Sequence, residues 1–180
     1  MNWYKTAGNY IAYHGSPKSF QEFSYDFLGS NGTYEGFGFY FTSDKSIADR
    51  YAENGELKKA ILDIKKPLNA TEVTISGQEL AKFLRALDPT GEDYLSNWGE
   101  VDLDGYERVL NAAVDGELGG AGSDADLISG IVQASGRNAE LVNKTLTQTL
   151  GYDGIIVEKP SWGKNHVIYV VFDNSQIRYI

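Results

Sequence analysis

Two histidines, His14 and His166, are the only imidazoles of the chain, and cysteine is absent. No thiol nucleophile, disulfide or Cys-ligated metal can form, and a multi-His metal site lacks ligands, so the expectation is no metal. A Ser-His-Asp triad needs a histidine base, and nothing in the spacing around His14 or His166 supports one. No Walker A stretch, Rossmann glycine fingerprint or His-Glu-x-x-His run occurs. Gly36-Phe37-Gly38 is glycine-rich but opens a strand rather than a helix, so a phosphate cradle of the helix-dipole kind is not supported.

Three groups of residues hold together better. Tyr13-His14-Gly15-Ser16 ends the first strand-like run; His14 can offer a hydrogen bond, and Gly15 lets a ligand approach the main chain. Tyr40 lies in the run Gly36-Phe37-Gly38-Phe39-Tyr40-Phe41-Thr42, and Tyr51 follows eleven residues later in a helix-like segment. A strand-to-helix reversal brings such a pair face to face around a flat ring, with stacking on both sides. The third group is the closing run Tyr169-Val170-Val171-Phe172-Asp173-Asn174-Ser175-Gln176-Ile177. Taken alone, His14 reads as a satisfied strand-end histidine and the two tyrosines as core aromatics; their shared register favours a site. His166 reads as structural or exposed, Glu158 as a solvated strand end and Asp153 as a turn residue. Asp102, Asp104 and Glu107 read as a solvated acidic stretch, and Tyr34 and Phe37 either line a pocket or close a loop.

The elements that must position these residues are legible from pattern. Residues 9–14 form a strand, and 18–37 a loop stapled by Phe20, Phe23 and Phe27. The run 37–42 is a short strand, and a helix starts at Asp44 or Lys45 with Ile47 and Tyr51 on one face and Gly55 as its stop. A strand over 57–65 ends at Pro67, and Ser76-Gly77-Gln78-Glu79 is a capping box opening a helix through Leu80, Phe83, Leu84 and Leu87. An acidic loop over 90–102 carries Trp98, and two or three further helices fill 103–150, the last running from Asn138 to Gly151. Strands return at 154–158 and 166–172. Strand-rich ends thus bracket a helical middle at about 76–150, which reads as an insertion into a sheet-based domain of class α+β.

Composition narrows the partners. The 180 residues fit one domain. Sixteen Lys and Arg against 25 Asp and Glu give a net charge of −9 and a pI near 4.7. A basic footprint for a nucleic-acid backbone is missing, which argues against nucleic acid as partner. No apolar run approaches the roughly 20 residues of a membrane span, and the N-terminus has no signal-peptide h-region. No membrane contact and a cytoplasmic location are therefore expected.

The three groups together resemble the ADP-ribosyltransferase superfamily, in the His–Tyr branch that includes poly(ADP-ribose) polymerases and diphtheria-type toxins. The likeness is closer still to small transferase domains of phage and mobile-element proteins. It rests on His14–Ser16 with Phe20, Gly36–Thr42, Ala48–Ala52, Gly151–Ile156 and Tyr169–Ile177. The resemblance implies a single domain over 1–180, a split β-sheet core with the helical insertion, and NAD as cofactor. It implies that His14 bonds the adenosine ribose, that Gly15 holds the nicotinamide carboxamide, and that Tyr40 and Tyr51 sandwich the nicotinamide ring, with Ser16 and Thr42 lining the site. Ile168 stands where the polymerases carry a catalytic Glu, and Ala48 where they carry a Ser; Glu158, Asp153 and Glu35 are spare acids. An aliphatic residue at the Glu position implies transfer of single ADP-ribose units to an acceptor protein, as by a toxin or effector, in the host cytoplasm if phage-encoded. The alternatives are a weak or inactive binding module of the same fold and an NAD glycohydrolase.

Overall fold

The computed structural model describes residues 8–27, 36–90, 122–134 and 138–180. The chain divides into two compact units, one formed by residues 1–68 and 152–180, the other by 69–151.

The first unit is built on one mixed sheet. Its strands are β1 (Gly8–Ser16), β2 (Phe39–Thr42), β3 (Glu56–Ile64), β4 (Pro67–Leu68), β5 (Gly154–Ser161), β6 (Lys164–Val171) and β7 (Ile177–Tyr179), in the order β4-β5-β6-β2-β1-β3-β7. Among the described strands, only β4 and β5 pair in parallel. Alternation buries one face: Tyr10 and Ala12 of β1, Phe39 and Phe41 of β2, Ala60, Leu62 and Ile64 of β3, and Val167, Tyr169 and Val171 of β6 form one core cluster. β1 pairs with β3 over its whole length, from Gly8 opposite Ile64 to Ser16 opposite Glu56, so the strand runs through Gly15 and Ser16 instead of stopping at His14. Against β2, by contrast, β1 makes a single rung, Tyr13 opposite Thr42. The sheet is split there.

Other boundaries also shift from expectation. β5 continues past Glu158 to Ser161, with Pro160 opposite Asn165. Proline is tolerated because β4 covers only the Gly154–Ile155 end of β5 and leaves an edge strand beyond it. β5 and β6 therefore join as a hairpin through Trp162 and Gly163. Helix α1 (Lys45–Ala52) starts as anticipated: Asp44 caps it by accepting from the backbone N–H groups of Ser46 at 2.7 Å and Ile47 at 3.3 Å. It ends at Ala52, three residues before Gly55, with Glu53 at a positive φ of 53°. Asp153 fixes the β3–β4 turn by accepting from the backbone N–H groups of Lys65 at 2.9 Å and Lys66 at 2.8 Å.

The second unit holds α2 (Gly77–Leu87), α3 (Asp124–Ala134) and α4 (Ala139–Leu150). The Ser76–Glu79 capping box is formed, and Leu80, Phe83, Leu84 and Leu87 are all buried. Asn138 caps α4, and Gly151 closes it in the left-handed conformation at φ 78°. Of 103–150, two helices lie among the described residues; Trp98, Asp102, Asp104 and Glu107 lie outside them. None of the described helices is long and apolar enough to cross a membrane.

Asp124 organises this unit. Fully buried, its carboxylate accepts from Thr74 N–H at 2.7 Å, Thr74 hydroxyl at 2.5 Å and Ile75 N–H at 3.0 Å, tying the chain before α2 to the start of α3. Replacing it strands three donors, of which the Ile75 N–H is buried. Asp124→Ala should lower stability by about 3 kcal/mol in urea denaturation, while the exposed Asp126→Ala stays within about 1 kcal/mol of the parent chain.

Candidate functional site

The split between β1 and β2 is bridged by a side chain. His14 Nδ1 lies 2.7 Å from the Tyr40 carbonyl oxygen. A carbonyl can only accept, so Nδ1 carries the proton and donates. In the neutral ring that leaves Nε2 as an acceptor, and it has no hydrogen-bond partner among the described residues. Phe20, Phe23 and Phe41 enclose the imidazole at centroid distances of 5.6, 4.8 and 5.6 Å.

The loop carrying Phe20 and Phe23 is latched to the sheet from both sides. Glu56 accepts from the Ser19 hydroxyl at 3.0 Å and the Phe20 N–H at 3.2 Å. Tyr25 donates to the Phe172 carbonyl at 2.5 Å, and the Asn174 amide to the Phe23 carbonyl at 2.7 Å. Lys58 bonds Glu56 at 3.0 Å and lies over the Phe20 ring at 4.5 Å.

Burial pushes the His14 pKa below its usual 6.5, and the nearby Lys58 charge adds to this, against the Tyr40 bond and Glu56. The imidazole is therefore neutral at pH 7.

The pleat sorts the remaining residues. Phe39 and Phe41 face the core cluster, so Tyr40 and Thr42 face the other side of β2. Ile168 pairs with Thr42 and Val170 with Tyr40, which places both on that side too. Helix α1 lies on the same side: a Cβ at Gly15 would collide with the Ala48 carbonyl and stand 2.6 Å from the Ala52 nitrogen. The absent side chain of Gly15 is thus required by helix docking, a reason the sequence did not disclose.

Tyr40, half-buried, donates its hydroxyl to the Gly36 carbonyl at 2.5 Å. Tyr51 does not share the buried face of Ile47: Ile47 is 2% exposed and Tyr51 54%. Its ring meets Trp162 at 5.3 Å, and Arg50 lies over the same indole at 5.2 Å. Register and helix docking thus put Tyr40, Thr42, Ile168 and Tyr51 on one side of the sheet, and the His14 ring on the other at its split.

Other expected residues fall elsewhere. The Ser16 hydroxyl is engaged in a local turn, donating to the Lys18 carbonyl at 2.7 Å. Thr42 is buried, and its hydroxyl accepts from Asp44 N–H at 3.2 Å. Ala48 is buried against the sheet. Glu158 is exposed and opposite Val167, on the face away from Ile168. Asp153 is committed to the β3–β4 turn, so it is no spare acid. Tyr34 and Glu35 lie outside the described residues. Phe37 is half-buried. His166, read as structural or exposed, is 5% exposed, with Nδ1 buried and without a hydrogen-bond partner among the described residues. Among the described residues no three His, Asp or Glu side chains are grouped to hold a metal ion. Sequence reasoning missed Trp162; the only available signal was a Trp-Gly dipeptide between two β-rich runs.

The lowered His14 pKa has a stability consequence. Between the folded value and 6.5 the unfolded chain binds the extra proton, so this contribution is complete above pH 6.5 and is lost as pH falls toward the folded value. Asp44, which the Ser46 hydroxyl bond holds down to about 2, stays ionised through that window. Melting temperature should therefore drop more between about pH 7.5 and about 5.5 in the parent chain than in His14→Gln.

A family model described as ADP-ribosyltransferase in polyvalent proteins matches residues 8–180. No curated protein and no solved structure matches the chain. The α+β architecture, a seven-stranded mixed sheet with helices, agrees with an ADP-ribosyltransferase-like fold. With nearly its whole length inside that match, the chain belongs to the ADP-ribosyltransferase family of polyvalent proteins.

Proposed function

We propose that the chain is an NAD-dependent mono-ADP-ribosyltransferase, acting as one domain over 1–180 with a helical insertion at about 76–150. The observation that carries this reading is the set of Tyr40, Tyr51 and Ile168 on one side of a split sheet, with a neutral His14 tethered across the split.

NAD is held at both ends. His14 Nε2 accepts a hydroxyl of the adenosine ribose; Tyr40 and Tyr51 wall the nicotinamide; Gly15 and neighbouring Ser16 and Thr42 line its approach. Cleavage breaks the bond between the nicotinamide nitrogen and ribose C1′, and the electron pair leaves with neutral nicotinamide. The oxocarbenium-like ribose is captured by one acceptor nucleophile, which forms the new C1′ bond and loses its proton. The net charge of −9 favours a protein acceptor over nucleic acid. Single-unit transfer follows from Ile168, which cannot bond a ribose hydroxyl to orient a second ADP-ribose for chain growth. We extend this to an effector role in the host cytoplasm for a phage-encoded chain.

One observation favours a second reading, a binding module of the same fold with weak or no turnover. Ile168 brings no carboxylate, Glu158 faces away from it and Asp153 is engaged elsewhere. NAD glycohydrolysis is the same bond cleavage with water as acceptor.

Incubation with labelled NAD and a cell lysate separates the three. Transfer predicts nicotinamide release with a single ADP-ribose mass added to protein. Free ADP-ribose without labelled protein indicates hydrolysis, and NAD binding without nicotinamide release indicates the module. Neither binding nor release sinks the NAD reading altogether. For the transferase, Tyr40→Ala and His14→Gln should each lower turnover by about 100-fold with circular dichroism unchanged.

A further inference from the structure

The β5–β6 hairpin turns through Trp162 at φ 47° and Gly163 at φ 75°, between the paired Ser161 and Lys164. Two positive φ values are what a tight hairpin turn with the sheet's twist demands, and Asn-Gly is its favoured pair. A bulky aromatic residue in the left-handed region is a genuine outlier. The indole is also 52% exposed, so burial does not explain it.

Its contacts do. The Trp162 ring meets Tyr51 at 5.3 Å with the planes at 59°, and Arg50 stacks over it at 5.2 Å. Both partners sit in the last turn of α1. On the other side of the turn, Lys164 reaches the start of α1, bonding the Ser46 hydroxyl at 2.7 Å and approaching Asp44 at 3.5 Å. The hairpin end is therefore fastened to α1 at both ends of the helix. Among the described residues, Trp162 is the only ring that touches Tyr51, and the Tyr51 hydroxyl has no partner.

We propose that Trp162 is a positioning residue that holds the Tyr51 ring in place as a wall for the nicotinamide. This rests on the assignment of Tyr51 under Proposed function. An exposed tyrosine without such a contact samples several rotamers and loses that freedom only when the ligand arrives, which weakens binding. A ring held in advance removes that loss. It acts on ground state and transition state alike, so its effect falls on KM rather than kcat.

The test uses Trp162→Asn, which gives the turn its favoured residue and should leave the melting temperature unchanged or higher. KM for NAD, read by nicotinamide release, should rise about fivefold with kcat within about twofold, the size of one aromatic contact. Trp162→Phe should restore most of the affinity. Tyr51→Ala should raise KM as well, and the double variant Trp162→Asn/Tyr51→Ala should be no worse than Tyr51→Ala alone. A Trp162→Asn KM equal to that of the parent, with Tyr51→Ala still raised, overturns the inference and leaves the Tyr51 assignment standing. Additive effects in the double variant also overturn it, since the indole would then act independently of Tyr51. If Tyr51→Ala itself leaves KM unchanged, the wall assignment fails, and the positioning role fails with it. If the parent chain only binds NAD, the same comparisons are made on Kd by calorimetry.

Discussion

One hydrogen bond from a side chain decides how this sheet is put together. β1 and β2 share a single backbone rung, and beyond it the His14 imidazole reaches the Tyr40 carbonyl that a further rung would have used. The side-chain bond thus adds a second link between two strands that share one backbone rung. The same bond fixes the tautomer of His14, so the free nitrogen is an acceptor. The phenylalanine cage and its latches at Glu56, Tyr25 and Asn174 then shield the ring and favour its uncharged form. Architecture and chemistry here have one origin.

Much of this was legible in the sequence where the signals were local. The Ser76–Glu79 capping box, the amphipathic spacing of α2 and the glycine stop of α4 each rest on a few adjacent residues, and they appear as expected. So did the ordered blocks around His14, Tyr40 and Tyr51 that pointed to the family. Failures came where tertiary pairing overrode local pattern. β1 continues through Gly15 because β3 pairs with it there, and β5 continues through Pro160 because it is an edge strand. Ile47 and Tyr51 share a helical spacing but not an environment, since the helix end carrying Tyr51 meets an exposed hairpin rather than the core. No spacing rule reveals that Trp162, more than a hundred residues later, supplies the neighbour.

The acids show the same limit. From sequence alone Glu158 and Asp153 were both available near the closing strands. Pleat parity puts Glu158 on the opposite face from Ile168, and backbone N–H groups of Lys65 and Lys66 claim Asp153. The side of the sheet that carries Ile168 thus gains no carboxylate from either; what the described residues bring there is Tyr40, Thr42 and the close-packed backbone of α1. Under the proposed function, turnover would depend strongly on groups contributed by whatever accepts the ADP-ribose.

Gly15 deserves a different emphasis from the one its sequence context suggests. The backbone of α1 rests on it so closely that any side chain there would lift the helix off the sheet. That helix carries Tyr51 and is fastened to the β5–β6 hairpin at both of its ends, through Lys164 at its start and Trp162 at its last turn, so a lift would load both contacts. The space at position 15 sets how closely α1 lies against β1, and even a single methyl group there would reset that spacing.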